Sequence, residues 1–204
     1  TTVDAGVVKL RRLERPEFEF EVIGTAPLIV NRWSEKARNM MLAKQQTSAR
    51  AKHDAKDPEA LYEASKYKLA DGTDGFPAVA FKAAIVHAAR LFEGITQVAV
   101  KQSVVVVGQG RDDRGDDLVV LNYGKCEMRE DTPRNASGVA DLRYRAMYSD
   151  WSAMLRVRTV AGQIDEESLF ALVDAAGVGG VGEWRPTSPK SATGSYGTFE
   201  VKVG

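Results

Sequence analysis

Near the end of the chain, within AAGVGGVGEWRPTSPKSATGSYGTFEVKVG at 175–204, Gly177, Gly179 and Gly182 fall at GxGxxG spacing. Glycine has no Cβ and reaches left-handed conformations, so such a run lets main-chain N–H groups close on a phosphate. Gly180 extends the run, and Arg185, Lys190 and Ser195 add side-chain donors in the same loop. Trp184 offers a flat surface on which a base or ribose can stack.

Other residues with reactive chemistry are few. The two histidines are His53 and His87. His53, between Lys52 and Asp54, reads as a surface residue; His87, in an alanine-rich helix, reads as a packed core histidine. A single histidine can cleave RNA by general acid–base chemistry, so a metal-independent endoribonuclease stays open as the enzymatic alternative. The densest carboxylates are Asp112, Asp113, Asp116 and Asp117 in RDDRGDD, which lacks the 12-residue calcium-loop pattern and its closing Glu. It is expected to be a solvated hairpin tip. No Ser-His-Asp, HExxH or P-loop pattern occurs. The expectation is a protein without catalysis, metal or cofactor.

The elements that must position these residues follow from patterning. FEFEVI at 18–23 alternates apolar and acidic residues, as a strand with one buried face does. Ser34 caps a helical stretch, SEKARNMMLAKQQTSARAK, and Asp57-Pro58-Glu59 begins a second helix. DGTDG at 71–75 is a turn. Phe81, Ile85, Ala88 and Phe92 recur at helical spacing. VAVKQSVVVVG at 98–108 is β-branched and pairs in a hairpin with DLVVLNY at 117–123. Residues 124–148 read as irregular and arginine-rich. WSAMLRVRTV at 151–160 alternates again. A helix capped by Asp165 stops at Gly177 as a left-handed cap, and YGTFEVKV closes the chain as a strand.

Collapsed, this order is β-α-β-β-α-β, a ferredoxin-like (RNA-recognition-like) α+β core. It predicts one domain over 1–204, a helical insertion at 25–76, a hairpin or thumb-like insertion at 108–150, and a glycine-rich loop before the last strand. That order excludes the dinucleotide fingerprint, whose glycines follow a strand and open a helix; here they follow a helix and precede a strand. Two readings stand for the loop: a long turn, or a backbone cradle for phosphate.

Bulk composition is that of an ordinary globular protein: 204 residues, 44% hydrophobic and 27% charged. Lys plus Arg balance Asp plus Glu at 28 each, so any polyanion site must be a local basic face. The single cysteine, Cys126, permits no intramolecular disulfide and suggests a reducing, cytoplasmic setting. No stretch reaches the length of a membrane span. Positive charge collects in the insertions. The first carries Arg32, Lys36, Arg38, Lys44, Arg50, Lys52 and Lys56 against Glu35 and Asp54, with Trp33 beside Arg32. The second interleaves Lys125, Arg129, Arg134, Arg143 and Arg145 with Tyr144 and Tyr148, partly neutralised by Glu127, Glu130, Asp131 and Asp141. Each of these sets can also be read as a solvated or internally paired surface. The exposed sheet face is expected to pair Glu19 and Glu21 with Arg156 and Arg158, leaving no aromatic platform for bases.

GVGGVGEWRP…GSYGTFEV resembles the C-terminal loop and strand of the RAMP superfamily, the RNA-binding proteins of CRISPR effector complexes. FPAVAFKAAIVHAAR resembles the segment leading into that family's first helix. Pro186 and Pro189 depart from its mainly Gly and basic loop. The placing of the insertions resembles the backbone subunit, which polymerises along guide RNA. The chain is also similar to phage and prophage proteins. The resemblance implies a sequence-independent single-strand binder, with RNA as ligand and DNA possible. It also implies head-to-tail contact with copies of itself, and other effector subunits as partners. The residues expected at nucleic acid are Arg32, Trp33, Lys36, Arg38, Lys44, Arg50, Lys52, Arg129, Arg134, Arg143, Gly179, Gly180, Gly182, Trp184, Arg185 and Lys190. A phage single-stranded DNA-binding or annealing protein and a non-catalytic structural assembly protein are the alternatives.

Overall fold

The structure is a computed structural model that describes residues 12–32, 57–133, 138, 140–189 and 191–203. The helix expected from Ser34 lies outside the described residues. In chain order the elements are β1 (Glu17–Gly24), β2 (Leu28–Ile29), α1 (Pro58–Ser65), β3 (Tyr67–Lys68), β4 (Asp74–Pro77) and α2 (Ala78–Ala88). A 3-10 turn at Ala89–Leu91 leads to α3 (Gln97–Ser103), β5 (Val105–Val107), β6 (Gly110–Arg111), β7 (Asp117–Val120), β8 (Lys125–Asp131) and β9 (Arg143–Ser149). The chain closes with β10 (Ser152–Arg158), α4 (Glu166–Gly179) and β11 (Phe199–Val201). Among the described residues the fold is mixed α+β with three antiparallel sheets, ordered β11-β1-β10-β5, β2-β9-β8 and β3-β4-β7-β6.

Period-two patterning places Phe20 and Val22 of β1, Leu155 and Val157 of β10, and Val201 of β11 in one core. Against them pack Phe81 and Ile85 of α2 and Leu169, Val173 and Ala176 of α4. Burying each of the larger side chains contributes roughly 2–3 kcal/mol. The opposite face of that sheet carries charge, as its sequence requires. Glu19 stands opposite Arg156 and Glu17 opposite Arg158 in the β1–β10 register, and Arg158 binds Glu17 at 2.8 Å. Lys202 reaches Glu21 at 2.9 Å.

Caps set the helix ends. Asp57 Oδ1 accepts from Ala60 N–H at 3.2 Å, and Asp165 Oδ1 from Ser168 N–H at 2.8 Å. Gly177 does not end α4. The helix continues to Gly179, and Gly180 at φ +67° terminates it. Gly177 is there for another reason: a Cβ on it would lie 1.7 Å from Phe199 O, so only glycine lets α4 lie against β11.

Further expectations change. The run 98–108 does not pair in a hairpin with 117–123: β5 joins β10 in the first sheet, whereas β7 lies between β4 and β6. Phe92 does not continue the buried face of α2, which ends at Ala88 and leaves Phe92 extended and 39% exposed. Residues 98–103 are helical rather than extended, because Thr96 Oγ1 caps Ala99 N–H at 3.1 Å and Val100 is buried. Capping and burial outweigh the weak β preference of Val98 and Val100. Residues 124–148 are not irregular: 125–131 and 143–149 pair as a long hairpin. Polar residues occupy both faces of β8, which hides its alternation.

Candidate nucleic-acid interface

After α4 the glycine loop folds back on itself instead of standing free. Gly180 N–H donates to Ala176 O at 3.0 Å, Val181 N–H to Gly197 O at 2.9 Å and Glu183 N–H to Ile29 O at 2.9 Å. Gly197 N–H in turn donates to Pro27 O at 2.8 Å. Gly182, at φ +80°, would put a Cβ 2.6 Å from Ile29 O. These glycines therefore seat the loop on β2, and the amides of 180, 181 and 183 are already donated. What the loop presents outward is side chains: Trp184, Arg185, Thr187 and Tyr196.

Trp184 is held at φ +58°, a backbone region in which a bulky residue is uncommon. Its ring meets β8 there. The Arg129 guanidinium of β8 lies 4.8 Å from the Tyr196 ring centroid and 6.0 Å from that of Trp184. Arg129 Nη1 donates to the Tyr196 hydroxyl at 3.0 Å, and Nε pairs with Asp131 Oδ1 at 2.9 Å.

Beside Arg129 the register places Arg145, and beside Asp131 it places Arg143. Like charges directly opposite one another repel, and carboxylates offset this. Arg145 is 1% exposed; its Nη1 lies 3.6 Å from Glu183 Oε2 and 3.9 Å from Asp131 Oδ2. Burial pulls the Arg145 guanidinium below its ordinary value, opposed by Glu183 and Asp131. Its Nε and Nη1 have no hydrogen-bond partner. Arg143 pairs with Asp141 at 3.1 Å.

Arg185 Nη1 donates to Gly182 O at 2.8 Å. Arg185 also lines a cavity of about 210 Å³ between α2 and the loop, together with Asn31, His87, Glu183 and Thr187. His87 is not a packed core histidine. It is exposed, because α2 turns Phe81, Ala84, Ile85 and Ala88 inward and leaves 83 and 87 on the opposite side.

Arg32 points elsewhere. It pairs with Asp112 at 2.9 Å and with Asp113. Asp112 is no solvated tip residue: at 7% exposure its Oδ1 accepts from Arg114 N–H and Asp116 N–H, both at 2.9 Å. The structure thus gathers Arg129, Trp184, Arg185 and the glycines at 179, 180 and 182 into one region, with Arg143 on the adjoining strand. It places Arg32 against the 112–116 turn. Trp33, Lys36, Arg38, Lys44, Arg50, Lys52, Arg134 and Lys190, with His53, lie outside the described residues.

Tyr196, Asn31 and Glu183 belong to the region and were not anticipated. A lone aromatic between glycines, GSYG, is the signal that marks Tyr196. Nothing in the sequence around Asn31 or Glu183 sets them apart.

No family model matches the sequence, and no curated protein matches it significantly. Among solved structures the chain is similar to the crystal structure of Cmr6 from Pyrococcus furiosus, with 11% identity and a TM-score of 0.42. That alignment covers 93% of this chain and 98% of the other. A likeness at that level carries no functional argument. Among the described residues no helix is long and apolar enough to cross a membrane.

Proposed function

We propose that this chain is a non-enzymatic, sequence-independent binder of single-stranded nucleic acid. In this reading guide RNA is the ligand, and copies of the chain stack head to tail along it as the backbone of a helical ribonucleoprotein, with other effector subunits as partners. The observation that carries the reading is Arg129 set against the rings of Trp184 and Tyr196. Among the described residues its bonds to Asp131 and Tyr196 use Nε and Nη1, and in this reading Nη2 takes a phosphate oxygen. Aromatic faces beside a guanidinium stack any base regardless of identity.

The order β11-β1-β10-β5, with α2 following β1 and α4 following β10, supports a ferredoxin-like β-α-β-β-α-β core for the same chain. In that core 25–76 and 108–150 are insertions and the charged sheet face takes no part in binding. In this reading Lys36, Arg38, Lys44, Arg50, Lys52, Arg134 and Lys190, which lie outside the described residues, supply further phosphate contacts, whereas Arg32 is held by Asp112 and Asp113. DNA in place of RNA is the variant of this reading that the 2′-hydroxyl decides.

The test is fluorescence anisotropy of labelled single-stranded RNA and DNA of mixed sequence, titrated at several salt concentrations. Affinity for RNA is expected to fall steeply as salt rises, because neutralised phosphates release counterions. Affinity that stays flat with salt would remove the phosphate track. Preferential binding of DNA would move the chain to the phage coating or annealing role. A folded chain that binds neither strand would leave a structural assembly protein.

A second reading, cleavage of bound RNA, is supported by one observation: His87 is exposed at the mouth of the cavity it shares with Glu183 and Arg185. It requires metal-independent shortening of the RNA that His87→Ala abolishes with binding intact.

A further inference from the structure

Among the described residues β8 is paired on one side only, to β9. Val30 N–H donates to Ala146 O at 3.0 Å and Ala146 N–H to Ser65 Oγ at 2.8 Å, so residue 146 of β9 bonds away from β8. Residues 143, 145 and 147 then bond towards β8, to 131, 129 and 127 in the observed register. The main-chain groups of Cys126, Met128 and Glu130 therefore point off the open edge. Met128 is 45% exposed there; the Tyr62 hydroxyl donates to Cys126 O at 3.4 Å, which leaves that carbonyl one lone pair for a further strand.

An open edge seven residues long is a template for another strand. Its charges decide which strand fits. The sequence of β8, KCEMRED, carries opposite charges at equal distances from Met128: Glu127 against Arg129, and Lys125 against Asp131. Antiparallel pairing with an identical strand, centred on Met128, sets Glu127 opposite Arg129 of the second copy and Lys125 opposite Asp131 of the second copy. Sliding by two residues one way opposes Glu127 to Glu127 and Lys125 to Arg129. Sliding two the other way opposes Arg129 to Arg129 and Glu127 to Asp131. Opposite charges across strands stabilise and like charges destabilise, so one register is favoured and both neighbours are penalised.

We propose that the β8 edge is a two-fold interface between two copies of this chain, paired antiparallel about Met128. Met128 N–H and C=O bond reciprocally to those of the second copy, and Cys126 bonds with Glu130 of the second copy at each end. The two sheets become one of six strands, in the order β2-β9-β8-β8-β9-β2. Residues 127, 129 and 131 share a face, so both Arg129 side chains lie on the same side of the joined sheet. The contact is isologous and closes at two copies. It does not depend on the nucleic-acid reading.

The experiment is sedimentation velocity on the full chain, freed of nucleic acid, from low to high micromolar concentration. A monomer–dimer equilibrium is expected. Met128→Pro removes an N–H that faces away from β9 and so spares the internal ladder. Glu127→Arg opposes an arginine to Arg129 of the second copy. Each variant is expected to raise the dissociation constant about tenfold or more, with far-ultraviolet circular dichroism unchanged. An equimolar mixture of Glu127→Arg and Arg129→Glu chains restores complementary charge at both contacts and is expected to dimerise although neither does alone. A wild type that is monomeric at every concentration overturns the proposal. So does a dimer indifferent to both variants, or a mixture that fails to assemble.

Discussion

Arg129 Nη1 and the Tyr196 hydroxyl are 3.0 Å apart across 67 positions of sequence, joining the β8–β9 hairpin to the glycine loop. Trp184 closes over the same guanidinium from a left-handed backbone conformation that costs roughly 1–2 kcal/mol. Trp184→Gly recovers that cost while removing the ring. We expect little change in unfolding temperature and a loss of about 1–3 kcal/mol in single-strand affinity. Anisotropy and thermal melts on the same samples separate the two effects. A variant that melts early and binds normally would make Trp184 a packing residue only.

Asp131 is the carboxylate between Arg129 at 2.9 Å and Arg145 at 3.9 Å, and it is 8% exposed. Removing it leaves the buried Arg145 guanidinium with Glu183 alone, at 3.6 Å, and takes the carboxylate from Arg129. Asp131→Ala is expected to destabilise the chain by about 3–5 kcal/mol in urea denaturation. A loss below about 1 kcal/mol, as for surface ion pairs, would show that Glu183 suffices for Arg145.

Gly177 and Gly72 make a matched pair of tests. A Cβ at 177 meets Phe199 O at 1.7 Å, whereas one at 72 has open space and only its φ of +86° to oppose it. Gly177→Ala is expected to cost about 3 kcal/mol or more through displacement of β11. Gly72→Ala should cost about 1–2 kcal/mol from backbone strain alone. Equal losses in chemical denaturation would contradict the close approach of α4 to β11.

Tyr123 donates its hydroxyl to Asp74 Oδ2 at 2.9 Å, and that bond, helped by burial, pushes the phenol up to about 12. The unfolded chain titrates near the ordinary value of about 10. The raised folded value means that Tyr123 contributes stability in full below about pH 10, and that this contribution fades as pH rises through about 12. Denaturation midpoints of the wild type and Tyr123→Phe should therefore differ at neutral pH and converge in strong alkali. A constant difference across that range would break the link to ionisation.

By itself the sequence determined the parts whose physics is local. Alternation in 18–23 and 151–158, the caps at Asp57 and Asp165, and the inward set Phe81, Ile85 and Ala88 all appear as their spacing requires. So does the pairing of the acidic β1 face with the basic β10 face; Phe92, expected in the same inward set, lies past the end of α2 and is exposed. Tertiary structure decided the rest. Residues 98–103 became helical because Thr96 caps them and Val100 finds the core. The β8–β9 hairpin was hidden because charge sits on both faces of β8, with Lys125, Glu127, Arg129 and Asp131 on one and Glu130 on the other. The glycine loop looked like a set of free amides, and only the approach of Ile29, Pro27 and Gly197 shows where those amides go. His87 looked buried because its helix is rich in alanine, yet which side of a helix faces inward is set by the sheet beneath it. Arg129 and Tyr196 carry no mark of each other in sequence, since a contact across 67 positions exists only once two elements have packed.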